Sequence, residues 1–223
     1  MSTAIAAATK TLIAEPPTLD EFIERLGNIP LSRVLMKPPP GLATEADLLE
    51  AERRYHRLYE LVDGTLVEKG MGYPESMLAL ALAGFLRAYV NPRNLGVVSG
   101  ADGFVRLFPG LVRIPDVAFA SWERFPDRKI PKEPIPSLAP ELVIEVLSKS
   151  NTRPEMKRKR GEYFDVGVRV VWEVDLKRRQ VAVYTPDGSV TVLKESQRLE
   201  GGDVLPGFTL ELTELFAELD RHG

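Results

Sequence analysis

Two carboxylates set in otherwise apolar runs are the residues of this chain best suited to chemistry. Asp116 lies in Val112-Arg113-Ile114-Pro115-Asp116-Val117-Ala118-Phe119-Ala120, and Glu145 in Leu142-Val143-Ile144-Glu145-Val146-Leu147. Near-continuous apolar runs of this length are the mark of strands covered on both faces. Even a neutral polar group costs roughly 2–7 kcal/mol when buried unpaired, so an ionised carboxylate there demands a cation. A Pro-rich loop, residues 126–140, separates the runs and is long enough for them to lie side by side with both carboxylates at neighbouring ends. At about 4 Å and an effective dielectric of ~20, their repulsion is about 4 kcal/mol. Either one carboxyl stays protonated or a divalent metal binds between them. The structural alternative is that Asp116, behind Pro115, caps a turn and Glu145 pairs with an arginine such as Arg113.

The composition narrows the chemistry. The chain has 223 residues, 44% hydrophobic and 27% charged, which predicts one globular α/β domain with additions. It contains no cysteine and only two histidines, His56 and His222. Disulfides, thiolate zinc sites and cysteine nucleophiles are thereby excluded, the scarcity of histidine argues against a Ser-His-Asp hydrolase, and a reducing, cytoplasmic location is expected. Any metal must be a hard, oxygen-ligated ion such as Mg²⁺ or Mn²⁺. The stretch 1–14 lacks the pattern of an export signal, and nothing approaches a membrane span. A formal net charge of −3 predicts no strong general grip on nucleic acid, so contact with it must come from a local basic patch.

The elements that must position these residues follow from punctuation and period. Residues 1–16 read as a disordered tail. Thr18 and Glu21 have capping-box spacing ahead of a short helix at 19–26 closed by Gly27. Pro38-Pro39-Pro40-Gly41 breaks the chain, and Thr44 opens a helix to about Arg57. Asp63-Gly64 between Tyr59–Val62 and Thr65–Glu68 is a strong hairpin signal. A helix apolar around most of its girth follows from Pro74 to Asn91, then strands at 96–99 and 103–108. Beyond Glu145 come a helix at 154–166, a buried strand at 168–175, an antiparallel pair turned by Pro186-Asp187-Gly188, and a terminal helix at 210–219. Residues 1–50 read as an N-terminal tail and helical extension, and 51–223 as the main domain.

On a wheel of about 100° per residue, Met156, Tyr163, Phe164 and Val166 define the inner face of the helix at 154–166. Lys159 and Arg160 fall on that side, and Lys157 and Arg158 point outward. Lys159 can therefore reach the Glu145 site. Alternatively it snorkels past the sheet edge, and Arg153, Lys157, Arg158, Lys159 and Arg160 form one solvated basic face.

Pro115-Asp116, followed by Glu145 twenty-nine positions on, resembles the PD-(D/E)XK nuclease superfamily. The lysine position of the strict motif holds Leu147, one past the spacer Val146. The wider stretch is similar to one branch, the bacterial restriction-endonuclease-like proteins of the Uma-two family. The landmarks are Tyr59-Glu60-Leu61-Val62-Asp63-Gly64, Arg113-Ile114-Pro115-Asp116-Val117, Glu141 to Ser148, Lys159 with Tyr163, and Val171-Trp172-Glu173-Val174-Asp175. Glu75 stands where members often have a histidine. The resemblance implies an α/β, or mixed α+β, fold: a restriction-endonuclease-like mixed central sheet flanked by helices, with antiparallel hairpins. It also implies that the lysine role moves to the following helix, where Lys159 matches. Asp116, Glu145 and the Val146 carbonyl would then hold one Mg²⁺ or Mn²⁺, with Glu60 as a supporting carboxylate. Taken as a strand residue before a hairpin, Glu60 reads instead as exposed.

The expected function is Mg²⁺-dependent hydrolysis of phosphodiester bonds in DNA. Catalysis would fall to Asp116, Glu145 and Lys159, and strand contacts to Arg153, Lys157, Arg158 and Arg160. The alternative is an inactive nuclease-fold module for binding or oligomerisation. A homodimer is expected, because the apolar helix at 75–90 and the hairpin edge at Asp63-Gly64 need cover. Lys159→Ala is expected to reduce cleavage without lowering the melting temperature.

Overall fold

The structure is a computed structural model that describes residues 18–221. The tail at 1–16 lies outside the described residues, as does His222. Helix α1 (Leu19–Arg25) begins at the expected Thr18/Glu21 capping box. Strand β1 (Val34–Leu35), helix α2 (Glu45–Tyr55), strands β2 (Tyr59–Val62) and β3 (Thr65–Glu68) and helix α3 (Tyr73–Val90) follow. Next come β4 (Gly96–Ser99), β5 (Val105–Phe108), β6 (Leu111–Arg113), β7 (Val117–Ser121) and β8 (Leu142–Val146). Helix α4 (Arg153–Asp165) precedes β9 (Val170–Asp175), β10 (Gln180–Tyr184), β11 (Val190–Lys194), β12 (Arg198–Glu200), β13 (Thr209–Glu211) and α5 (Leu212–Ala217).

The strands form a six-stranded mixed sheet in the order β11-β10-β9-β8-β7-β4 and a five-stranded antiparallel sheet in the order β1-β3-β2-β6-β5, with β12-β13 as a separate ribbon. Only β8 and β9 run parallel in the mixed sheet, as the crossover through α4 requires. One face of that sheet packs on α3 and α5 through Leu78, Leu82, Leu86, Phe119, Ile144, Trp172 and Phe216. The opposite face, where Val143 and Val171 point, packs on Tyr163 of α4 and on Val105 and Leu107 of β5. By alternation, Glu145 and Glu173 project to this second face.

Three sequence expectations change in detail. The run 112–120 is not one strand: β6 ends at Arg113 in one sheet and β7 begins at Val117 in the other. Pro115, which has no amide to donate, lies in the crossing and leaves Asp116 at the mouth of β7. The hairpin at Asp63-Gly64 is not an edge either, because β1 pairs with β3 through Val34↔Val67 and Leu35↔Leu66. Both turn residues take positive φ, 48° at Asp63 and 66° at Gly64, as the two-residue turn demands. Finally, the segment around 198–211 forms β12 and β13, so the terminal helix is shortened to α5.

The N-terminal segment is tied to the start of α4. The Thr152 hydroxyl donates to the Gly27 carbonyl, and Arg33 pairs with buried Glu155 at 2.8 Å. Gly27 has φ 87° and a Cβ there would lie 2.5 Å from the Glu155 backbone, so this approach requires glycine. No helix among the described residues is long and apolar enough to cross a membrane.

Candidate active site

Asp116 and Glu145 lie on neighbouring strands, since β7 pairs antiparallel with β8. The Asp116 amide donates to the Ile144 carbonyl at 3.1 Å, and the Val146 amide donates to Asp116 Oδ2 at 2.6 Å. Asp116 is thus stitched to both sides of Glu145. Its Oδ1 lies 2.7 Å from Lys69 Nζ. The same ammonium donates to the carbonyls of Ile114 (2.7 Å) and Ala101 (3.2 Å), so Lys69 is held between these two carbonyls and the Asp116 carboxylate.

Helix α4 supplies the other wall. Its Thr152/Glu155 capping box and Pro154 start it where β8 has just ended, so its inward stripe of Met156, Lys159 and Tyr163 meets the face carrying Glu145. Lys159, 2% exposed, pairs with Glu145 Oε1 at 3.3 Å and with Glu60 Oε1 at 2.9 Å. The Tyr163 hydroxyl donates to Glu145 Oε1 at 2.6 Å. Arg113 in turn joins Glu60 at 2.8 Å to Glu162 at 2.6 Å.

Glu60 is therefore not exposed but fully buried, at 0%. Arg113 pairs with Glu60 and Glu162 rather than with Glu145. Within this cluster Glu60, Asp116, Glu145 and Glu162 are matched by Lys69, Arg113, Lys159 and Arg158, the last of which pairs with Glu162 at 2.7 Å.

The environment drives the buried acids apart. Burial pushes the Glu145 carboxyl up to about 7, with the charge of Asp116 adding to the rise and Lys159 opposing it. Burial acts the same way on Glu60, but Lys159 and Arg113 outweigh it and hold that carboxyl well below its usual range. Burial disfavours charge on Lys159 too, yet Glu145 and Glu60 raise its pKa and keep it an ammonium. Two titratable carboxyls pushed in opposite directions mark a candidate acid-base site.

Among the described residues no group of three or more His, Asp or Glu side chains gathers as a metal cage. The donor set at Asp116 and Glu145 is that of a hard ion held by two carboxylates with water completing the shell, the usual manner of Mg²⁺. The residues fit such an ion in donor chemistry, and the cation that meets buried Asp116 Oδ1 is Lys69.

The expected strand-contact residues separate. Arg153, Lys157 and Arg160 line a groove of about 690 Å³. Arg158 turns the other way: it pairs with Asp63 at 3.0 Å and Glu162 at 2.7 Å and donates to the Arg25 carbonyl, so it ties α4 to the N-terminal segment. In the sequence Tyr163 stands out only for its apolar face and as a landmark, and Lys69 not at all. A lysine directly after a strand carries no local signal, since its partners lie 45 and 47 positions along the chain at Ile114 and Asp116.

No curated protein matches the chain. A solved structure described as a putative nuclease belonging to DUF820, from Anabaena variabilis, has the same fold. The TM-score is 0.66 at 20% identity, over 92% of this chain and 99% of that one. The family model "Putative restriction endonuclease", Uma2, matches residues 46–213, a span that takes in Glu60, Lys69, Asp116, Glu145, Lys159 and Tyr163. On that match, and with Glu60, Asp116, Glu145, Lys159 and Tyr163 gathered into one buried cluster, this chain belongs to the Uma2 family.

Proposed function

We propose that this protein is a metal-dependent nuclease that hydrolyses phosphodiester bonds, with DNA as substrate and Mg²⁺ or Mn²⁺ as cofactor. The observation that carries the reading is the pairing of Asp116 and Glu145 on adjacent strands with an ammonium, Lys159, against Glu145. Asp116, Glu145 and the Val146 carbonyl would hold the ion. When bound, a divalent ion lowers the pKa of water and offsets charge growing on the phosphate. The chain's own residues do the rest. Tyr163 fixes the Glu145 rotamer through its hydroxyl. The Val146 amide fixes Asp116. Lys159, kept protonated by Glu145 and Glu60, offers a preorganised positive charge to the phosphorus centre as the attacking hydroxyl adds and the leaving oxygen departs. Glu60 acts behind Lys159 as its second counter-ion.

One observation favours the other reading, a nuclease-fold binding module without activity. Lys69 already sits as a cation against Asp116. Calorimetric titration with Mn²⁺ separates the two: the nuclease reading expects binding in the wild type and its loss in Asp116→Ala. Absence of binding in both would favour the inactive module.

Helix α3 exposes Tyr73 and Leu80, at 80% and 75%. A homodimer packing through this face is the expected assembly, checked by the mass in light scattering, where a monomer at working concentration would refute it.

A further inference from the structure

One strand away from Glu145, the groove of about 690 Å³ opens between α4, the loop after β8 and the turn joining β9 to β10. Glu173, in its wall, is the register partner of Glu145 in the parallel pair. Arg160, which pairs with Glu173 and lies 4.1 Å from the Tyr184 ring centre, follows Lys159 on the helix. The groove therefore borders the candidate active site rather than sharing its residues.

Its charge is opposite to that of the chain. Lys149, Arg153, Lys157, Arg160, Lys177 and Arg178 line it against Glu75, Glu173 and Asp175, in a protein of formal net charge −3. Arg160 and Arg178 are partly neutralised by Glu173 and Asp175. Lys149, Arg153, Lys157 and Lys177 are exposed and make no ion pair among the described residues. They come from three separate segments: the loop after β8, α4 and the β9–β10 turn. Like charges converging without a partner gain nothing for folding, and a row of phosphates is the ligand chemistry that matches them.

We infer that this groove holds the phosphodiester backbone of a nucleic acid strand, with Lys149, Arg153, Lys157 and Lys177 as the phosphate contacts. That the strand is also the substrate rests on the nuclease reading above, whereas its binding does not. The β9–β10 turn thus joins the interface, and Arg158 is excluded from it.

The test is fluorescence anisotropy of a short labelled oligonucleotide, single-stranded in one arm and duplex in the other, with the full chain in EDTA over a range of salt. Four phosphate contacts give a slope of log K against log salt of about −3 for a single strand and about −4 for a duplex. The arm that binds more tightly identifies the strand form, and either supports the groove. Lys157→Ala with Lys177→Ala should roughly halve that slope in either arm while the melting temperature stays the same. Lys132→Ala with Lys194→Ala removes equal charge from exposed sites outside the groove and should leave binding almost unchanged. Equal losses from both pairs would reduce the effect to net charge and overturn the groove. So would failure of both oligonucleotides to bind, even where Mn²⁺ binds at Asp116. Strand binding that survives while the metal titration is flat would instead overturn hydrolysis and leave the groove standing.

Discussion

Replacing Glu145 with Gln is expected to remove phosphodiester cleavage while leaving the metal-free protein as stable as the wild type or more so. Glu145 sits in a buried cluster where burial pushes its carboxyl up to about 7, with the charge of Asp116 adding to the rise. The amide mimics the protonated form that burial prefers, and Lys159 keeps Glu60 at 2.9 Å. The sign follows from linkage. A carboxyl whose folded pKa exceeds its unfolded one favours the folded state at low pH, and that advantage is lost as pH rises through the folded value. In EDTA, the melting temperature of Glu145→Gln should therefore rise relative to wild type between about pH 5 and pH 8. If Glu145 holds the ion as proposed, its loss is worth several kcal/mol in the transition state, so cleavage should fall on the order of 10³-fold. A variant that still cuts at a tenth of the wild-type rate would remove Glu145 from the active site.

The largest loss of stability is expected from Arg113→Met. Arg113 is buried and joins Glu60 to Glu162 with contacts of 2.8 and 2.6 Å. Met has similar bulk but takes one cation from each carboxylate, leaving Glu60 to Lys159 and Glu162 to Arg158 in a low-dielectric setting. Removing one partner of a buried pair costs about 3–5 kcal/mol, which for a chain of this size lowers the melting temperature by roughly 6–20 °C. Arg53→Met breaks the exposed pair with Glu50 and should cost less than about 1 kcal/mol. Chemical denaturation of both variants measures the contrast. Similar small losses would mean that the cluster is solvated in solution.

The same cluster alters the expectation for Lys159→Ala. A lysine on the rim could be removed without changing the melting temperature. Lys159 is instead enclosed and faces two carboxylates, so its loss must weaken the fold as well as any catalysis. A fall in cleavage alone in that variant is therefore not diagnostic, and Glu145→Gln is the cleaner probe.

Local sequence determined much of this protein. The Thr18/Glu21 box, the Asp63-Gly64 turn, the apolar run around Glu145 and the inward stripe of α4 all act within a few residues, and each took its expected form. The lysine facing Glu145 was legible for the same reason, since a helix wheel needs only spacing. Charge partners were not legible. Glu60 reads as an exposed hairpin residue until Arg113 and Lys159, 53 and 99 positions away, are brought against it. Lys69 gains its meaning only from Asp116, and Arg158 leaves the basic face only because Asp63 and the Arg25 carbonyl reach it. Periodicity says which side of an element is buried, but whether a buried charge is tolerated depends on what lies opposite. That was decided where two sheets and α4 close on one another, and no single stretch of the chain contains it.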